Sequence, residues 1–130
     1  MDWKLELVPL PVADVERAKS FYMDKVGFNL DHDVRNGELR VVQLTPPGSA
    51  CSIVIGKGIV NTPPGSVKLL HLVVPDIQAA RAELVERGVE VTEVQDFGGG
   101  ITMAFFDDPD GNSWAVQHIA PGAGRPQPEG

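Results

Sequence analysis

The chain contains an internal repeat, and this repeat constrains the fold more than any other feature of the sequence. The segment 5–14 (LELVPLPVAD) aligns without a gap with the segment 67–76 (VKLLHLVVPD), so that Asp14 and Asp76 stand 62 positions apart. Each segment is an apolar, β-rich run that ends in Asp, whose carboxylate accepts the free amide hydrogens of a helix's first turn. The sequence therefore predicts a strand and a capped helix twice.

Both predicted helices carry one apolar stripe at helical spacing. The stripe consists of Val15, Ala18, Phe21, Tyr22 and Val26 in the first helix and of Ile77, Ala80, Leu84 and Val85 in the second. Gly27 and Gly88 follow the stripes. Because glycine enters the left-handed conformation at little cost, these two residues are predicted to end the helices.

Three strand-like runs follow each helix, separated by turn residues: 28–34, 39–45 and 50–55, then 89–94, 101–106 and 113–119. The sequence thus predicts an α+β fold of two tandem βαβββ modules within a single domain, 1–119. Module one spans 4–57 and module two spans 67–119. Their curved mixed sheets are expected to surround a concave cavity. The Pro- and Gly-rich segment 120–130 is predicted to be a disordered tail.

Composition excludes several classes of function. The 130 residues suit one domain, and 18 acidic against 11 basic side chains give a net charge of −7, which repels nucleic acid. Cys51 is the single cysteine, which excludes an intrachain disulfide and a Cys-based zinc site. No apolar run approaches the roughly 20 residues of a membrane helix. A cytoplasmic protein with no membrane partner is expected.

Four segments of the chain resemble the vicinal oxygen chelate superfamily, also called the glyoxalase and bleomycin-resistance family. They are 12–22 (VADVERAKSFY), 26–28 (VGF), 76–80 (DIQAA) and 106–112 (FDDPDGN). The resemblance covers nearly all of residues 4–119, and the two helix starts together with the DPDGN turn are specific for the fold. They do not specify an activity, because function belongs to sites and not to folds.

Metal-using members of this superfamily place four His or Glu ligands in the cavity, one on the first and one on the last strand of each module. The resemblance carries these positions onto Leu7, Ser52, Leu69 and Ala115, with Val54 as the alternative to Ser52. None of them is an imidazole or a carboxylate, which divalent metals need. The resemblance therefore implies no metal and no other cofactor, and ligand sequestration is the family role that remains.

His71 is the sharpest candidate for a functional side chain. Residues two apart on a strand share a face, so His71 and Leu69 are both expected to point into the cavity. The imidazole then serves as a hydrogen-bonding group for a ligand or as a general base. The alternative is a histidine packed and satisfied inside the sheet.

Four-residue hairpin loops would pair Gln43 with Ser52 and Phe106 with Ala115, and Gln117 follows on the same face. Trp114, Phe105 and Met103 are expected on the opposite face, beneath the helices. Trp3 either stacks on a ligand or anchors a dimer edge. The predicted ligand-binding set is Trp3, Leu7, Pro9, Gln43, Ser52, His71, Phe106, Ala115 and Gln117. The alternative is that these are ordinary interior residues of the sheets.

The leading hypothesis is a metal-independent homodimer that sequesters an aromatic, hydrophobic small molecule such as an antibiotic. A mostly apolar cavity with a few polar atoms suits such a ligand. No catalytic residue is predicted. The first alternative is a glyoxalase-like lyase or isomerase, or a dioxygenase, with a displaced metal site. The second is a structural or regulatory dimer that binds no ligand.

Overall fold

The computed structural model describes residues 1–122, in two compact units. Unit 1 comprises residues 1–68 and 108–112, and unit 2 comprises residues 69–107 and the residues from 113 onward. The turn 108–112 therefore belongs to unit 1, although it connects two strands of unit 2. Residues 123–130 of the predicted tail lie outside the described residues.

Unit 1 is a four-stranded mixed sheet with one helical stretch. Its elements are β1 Leu7–Pro9, α1 Val15–Ser20, a π-helical segment Phe21–Val26, β2 Asn29–Asn36, β3 Leu39–Thr45 and β4 Ser52–Lys57. Strand β1 pairs in parallel with β4, β3 pairs antiparallel with both β4 and β2, and the strand order is β1-β4-β3-β2.

Unit 2 repeats this topology. Its elements are β5 Leu70–Val73, α2 Ile77–Glu86, β6 Gln95–Asp96, β7 Ile101–Asp107 and β8 Ser113–Ile119. Strand β5 pairs in parallel with β8, β7 pairs antiparallel with β8 and β6, and the strand order is β5-β8-β7-β6. The predicted α+β class with two tandem βαβββ modules is confirmed.

The two Asp residues of the repeat cap their helices as predicted. The carboxylate of Asp14 accepts the amide of Arg17 at 3.1 Å, and that of Asp76 accepts the amide of Ala79 at 3.1 Å. Gly27 and Gly88 follow the helical stretches with φ of +89° and +88°. The left-handed conformation explains why glycine stands at both positions.

The predicted strand 89–94 is wrong, because only Gln95–Asp96 forms a strand there. The Arg81 guanidinium donates to the carbonyl oxygens of Thr92, at 2.7 Å, and Val91, at 3.3 Å. The Thr92 hydroxyl accepts the Phe105 amide at 2.9 Å. Side chains thus replace part of the backbone pairing that a regular ladder would use.

The sheet of unit 1 has a helix face and a helix-free face. Lys19 and Glu16 of α1 form ion pairs with Asp33, at 2.9 Å, and Arg40, at 2.5 Å, which places those two sheet residues under the helix. The apolar residues that alternate with the same parity are almost fully buried, at 0 to 3% exposure: Leu10, Val42, Leu44, Ile53 and Ile55. They form the core of this unit.

One face of the sheet in unit 2 is buried in the same way. Helix α2 packs against β7 and β8. Ala104, Phe106, Trp114 and Val116 are at most 3% exposed, and they share their face of the sheet with the half-buried Leu70 and Leu72 of β5. We call this the helix face of unit 2 and the opposite one its helix-free face.

The turn 108–112 is anchored in unit 1 by buried polar groups. The Asp108 carboxylate accepts the Tyr22 hydroxyl at 2.7 Å and the Asn112 side-chain amide at 2.9 Å. Asn112 also donates to the Pro11 carbonyl at 2.9 Å, and Tyr22 and Asn112 are 0% exposed. Each of these buried groups therefore has a hydrogen-bond partner. We call the hydrogen bonds that join Tyr22 and Pro11 to Asp108 and Asn112 the clasp.

Within residues 1–122, none of the helices is both long enough and apolar enough to cross a bilayer.

Candidate functional site

Four predicted binding residues lie on the helix-free face of unit 1. Leu7 pairs with Ser52 and Pro9 with Val54, and Gln43 pairs with Val54 from the other side. The predicted pairing of Gln43 with Ser52 is wrong by two positions, because the β3–β4 connection has six residues where four were expected. A shift of two conserves the face of a strand residue. Gln43 and Ser52 therefore still share a face, and the Gln43 amide reaches the Ser52 hydroxyl at 3.4 Å.

This face also carries a polar chain that sequence reasoning missed. The Thr45 hydroxyl lies 2.6 Å from the Ser52 hydroxyl and donates to the Asp31 carboxylate. The register shifts between Leu30 and His32, so Asp31 is the extra residue of a β-bulge. A bulge turns a side chain out of the regular alternation, and nothing in the alternation of 28–34 indicated it.

The hydroxyl of Thr45, bound to Asp31, holds the pKa of that carboxyl below its usual value. The amides of Asn29 and Gln43 act in the same direction, against an opposing effect of burial. Hydrogen bonds to a carboxylate stabilise its charged form. Asp31 is therefore ionised at neutral pH and acts only as an acceptor.

Three predicted binding residues lie on the helix-free face of unit 2. His71 pairs with Ala115, and Gln117 follows two positions further along β8. The Nδ1 atom of His71 lies 2.6 Å from the Oε1 atom of Gln117. Because an amide oxygen only accepts, Nδ1 donates this hydrogen bond. The imidazole is exposed in the single chain, in contrast to the alternative of a histidine packed inside the sheet.

Phe106 does not lie on this face, and its predicted pairing with Ala115 is wrong. The loop between β7 and β8 has five residues, so Phe106 pairs with Trp114 and Phe105 with Ala115. A shift of one residue moves every side chain of a strand to the other face. Phe106 is therefore buried on the helix face, at 3% exposure, where its ring stacks on Trp114.

The same shift brings Phe105 and Met103 to the helix-free face, against the expectation that they lie beneath the helix. Met103 pairs with Gln117, and Phe105 makes an edge-to-face contact with Phe97 at 6.1 Å between ring centroids. Phe97 is 55% exposed. The face thus offers aromatic and thioether surface beside the polar pair of His71 and Gln117.

Trp3 lies outside the strands, because β1 begins at Leu7. Its side chain is 89% exposed, and Leu5 is 71% exposed. Trp3 therefore precedes the first strand by four residues. The amide of Ser52 bonds to the Glu6 carbonyl at 2.9 Å, and the regular ladder starts one residue later.

The sheet register corrects one position of the ligand set that the resemblance implied. Leu7 pairs with Ser52, and the residue that pairs with Ala115 is His71 and not Leu69. The connection between strand and helix is two residues shorter in the second module: Leu10 and Val74 both donate to the last strand, at 2.9 Å, and stand 64 positions apart. Leu69 instead precedes β5 with φ of +58°.

The corrected positions do not fit a divalent metal. Leu7, Ser52, His71 and Ala115 supply one imidazole, one hydroxyl and no carboxylate, whereas such sites use three or four N, O or S donors. In the described part of the chain, no group of three or more His, Cys, Asp or Glu side chains is arranged to hold a metal ion.

A separate concavity of about 440 Å³ lies in unit 1, where β1 and β4 end. Its walls come from residues 11–13 and 15, from the end of β4 and from the loop that follows, with Lys57 as the charged group. None of the nine predicted binding residues lines it, and no aromatic residue of the described chain contributes to its walls.

Comparison with known proteins identifies the family. The family model of the Glyoxalase/Bleomycin resistance protein/Dioxygenase superfamily matches residues 4–116. The chain belongs to this superfamily, as the repeat, the helix caps and the DPDGN turn together predicted. Among curated proteins, none matches this chain.

Three solved structures illustrate the similarity. TnmS3 from Streptomyces sp. CB03234, described as an antibiotic binding protein, is 36% identical over 92% of this chain and 98% of its own, with a TM-score of 0.83. A glyoxalase/bleomycin resistance protein from the same strain is 38% identical over 87% and 98%, with a TM-score of 0.77. A superfamily member from Sphaerobacter thermophilus DSM 20745 is 27% identical over 90% and 98%, with a TM-score of 0.78.

Proposed function

We propose that the protein binds and sequesters an aromatic, hydrophobic small molecule, of the kind represented by natural-product antibiotics, without a metal ion. The observation that carries the proposal is a complete family scaffold in which only one of the four register-matched positions, His71, bears a metal-binding side chain. The similarity to TnmS3, an antibiotic binding protein, supports the same conclusion.

The helix-free face of unit 2 supports an aromatic ligand. Phe105 and Phe97 provide ring surface, and Met103 provides a polarisable thioether that makes favourable contacts with rings. His71 and Gln117 stand beside this surface and supply a small number of polar atoms. Burial of apolar ligand surface contributes about 25 cal/mol per Å², less the cost of ordering. The polar pair orients the ligand by hydrogen bonds.

On the helix-free face of unit 1, Leu7, Pro9, Gln43 and Ser52 are the proposed ligand contacts. On the helix-free face of unit 2, Ala115 leaves room beside His71. Phe105 takes the place that Phe106 held in the sequence-based set. Trp3, exposed in the single chain, covers the ligand or the edge of a second chain. We propose a cytoplasmic homodimer, and light scattering on the purified protein tests its oligomeric state directly.

Isothermal titration with bleomycin, mitomycin C and other aromatic antibiotics tests the proposal. We expect stoichiometric binding by at least one of them, recovery of the unaltered compound, and no effect of a chelator. Phe105→Ala and His71→Ala should each weaken that binding. His118→Ala is the matched control, because His118 lies on the same sheet but on its helix face, 3.2 Å from the Val74 carbonyl.

Two results would contradict the proposal. One is the absence of binding by every compound of the panel. The other is a stoichiometric Ni²⁺, Zn²⁺ or Mn²⁺ ion that is lost in His71→Ala and that restores lyase, isomerase or dioxygenase activity. The second result would establish the enzymatic alternative.

A further inference from the structure

The polar chain on the helix-free face of unit 1 has a fixed direction. It runs from Ser52 through Thr45 to Asp31, with 2.6 Å between the two hydroxyl oxygens. A threonine hydroxyl has a single proton, and an ionised carboxylate can only accept. Thr45 therefore donates to Asp31, and its oxygen receives the proton of Ser52.

Gln43 reinforces this direction. Its Nε2 atom lies 3.4 Å from the Ser52 oxygen and 3.5 Å from the Asp31 carboxylate, so that its two N–H groups face two acceptors. Turned the other way, the amide would bring its oxygen against the carboxylate. The charge on Asp31 therefore orients Gln43 as well as the two hydroxyls.

The Ser52 hydroxyl has one hydrogen-bonding site left unused, and this site is an acceptor. A hydroxyl has one donor and two acceptor sites. The donor is used on Thr45, and one acceptor site is used by Gln43. A hydroxyl that donates within a chain of hydrogen bonds becomes a stronger acceptor. Ser52 is 4% exposed, so its side chain is largely removed from water, where a hydrogen bond is selective.

We infer that the Ser52 hydroxyl, held by Thr45 and Asp31, accepts a hydrogen bond from the ligand but does not donate one to it. It thereby selects ligands that carry a hydroxyl or N–H donor on their aromatic framework. The inference rests on the proposed function and adds the ligand chemistry that this face recognises. Ser52 touches the ligand, whereas Thr45 and Asp31 are positioning residues. Replacement of the ligand's donor by a methyl ether leaves the remaining acceptor site of the Ser52 oxygen unused.

Two probes of similar shape measure this selectivity: 2-naphthol, which donates, and 2-methoxynaphthalene, which does not. We expect the wild-type protein to bind 2-naphthol about fivefold more tightly, the effect of one hydrogen bond. In Ser52→Ala the preference should disappear, and the residual ratio of that variant gives the effect of the added methyl group alone.

Asp31→Asn and Thr45→Val test the positioning role. The amide that Asp31→Asn introduces can donate to the Thr45 hydroxyl, which frees the Ser52 proton for the ligand. The side chain that Thr45→Val introduces is close in shape to threonine but breaks the chain. In both variants the preference should fall towards the Ser52→Ala ratio, because a Ser52 hydroxyl that is free to donate also serves the ether oxygen of 2-methoxynaphthalene. Asp24→Asn, which removes the same charge from an exposed position of the helical stretch, should retain the full preference.

The outcomes separate this inference from the proposed function. Equal binding of the two probes by the wild type, or a preference that survives in Asp31→Asn and Thr45→Val, overturns the directed chain and leaves sequestration standing. Binding of an antibiotic without binding of either naphthalene also overturns the inference alone. Failure of both probes and of every antibiotic overturns both proposals.

Discussion

The rings of Phe106 and Trp114 lie parallel, with 6.1 Å between their centroids, on the helix face of unit 2. This contact places Phe106 in the core and excludes it from the surface where Phe105 and Ala115 lie. Two neighbouring phenylalanines on one strand therefore have different roles. Phe106 stabilises the core, and in the proposed function Phe105 contacts the ligand.

We expect Phe106→Ala to lower the free energy of unfolding by about 3–5 kcal/mol, because the cavity is formed in a nearly fully buried site. Phe105→Ala, at a partly exposed site, should cost clearly less stability but weaken antibiotic binding. Urea unfolding and calorimetric titration of the two variants measure both effects. A Phe106→Ala protein that is as stable as Phe105→Ala would contradict the assignment of the faces.

The Tyr22 hydroxyl should matter for stability although it lies outside the proposed site. It donates to Asp108 at 2.7 Å in a fully buried position, and Tyr22→Phe removes this donor from a buried carboxylate. We expect a loss of about 1–3 kcal/mol in urea unfolding. Ligand affinity should not change, and an unchanged midpoint would show that the Asp108 carboxylate is satisfied without Tyr22.

Gly65 and Gly48 form a matched pair, since both have φ of +81°. A Cβ at Gly65 would meet the Asp110 carbonyl oxygen at 2.0 Å, whereas at Gly48 nothing lies within 4 Å. Gly48→Ala should cost about 1–2 kcal/mol from the left-handed conformation alone. Gly65→Ala should cost at least about 1–3 kcal/mol more, because the backbone must move. Thermal unfolding compares the two, and equal losses would mean that the close approach is absent in solution.

Asp33 should make the stability depend on pH in the acid range. Hydrogen bonds from Arg40, first, and from Lys19 hold the pKa of this carboxyl far below its ordinary value, against a smaller effect of burial. A carboxyl whose folded pKa is depressed stabilises the protein above its unfolded pKa, near about 4, and loses that contribution as the pH falls towards the folded value.

Asp33→Asn should therefore cost about 1–2 kcal/mol at pH 7, a value reduced because the pair is partly exposed, and progressively less below about pH 4. Urea midpoints at pH 7, 4 and 3 give the comparison. Asp24→Asn provides the control for charge. A constant difference between Asp33→Asn and the wild type across this range would refute the role of the ionised pair.

The fold was readable from the sequence because its signals are local. Asp14 and Asp76, Gly27 and Gly88 each act within a few residues of their own position. The faces of the strands depend instead on loop lengths, which composition does not fix. The β3–β4 loop is two residues longer than predicted, and a shift of two leaves Gln43 on its predicted face. The β7–β8 loop is one residue longer than predicted, and a shift of one moves Phe106 to the opposite face.

The extra residue in the β7–β8 loop has a physical cause. The Asp108 carboxylate accepts the amides of Asp110 and Asn112, each at 2.9 Å, and so withdraws Asp108 from the ladder into the turn. The motif DPDGN indicated a turn but not which aspartate would begin it. The sequence of β2 likewise does not predict the bulge at Asp31. The bulge depends on how β2 pairs with β3 and not on the alternation of apolar and polar residues within β2.

The clasp that joins Tyr22 and Pro11 to Asp108 and Asn112 spans 86 and 101 positions of the chain. During synthesis from the amino terminus, Pro11 and Tyr22 are made before both of these partners. The tyrosine hydroxyl and the proline carbonyl cannot form these hydrogen bonds until translation has reached Asn112. The first module therefore cannot acquire its final set of buried contacts while it is the only translated part of the chain.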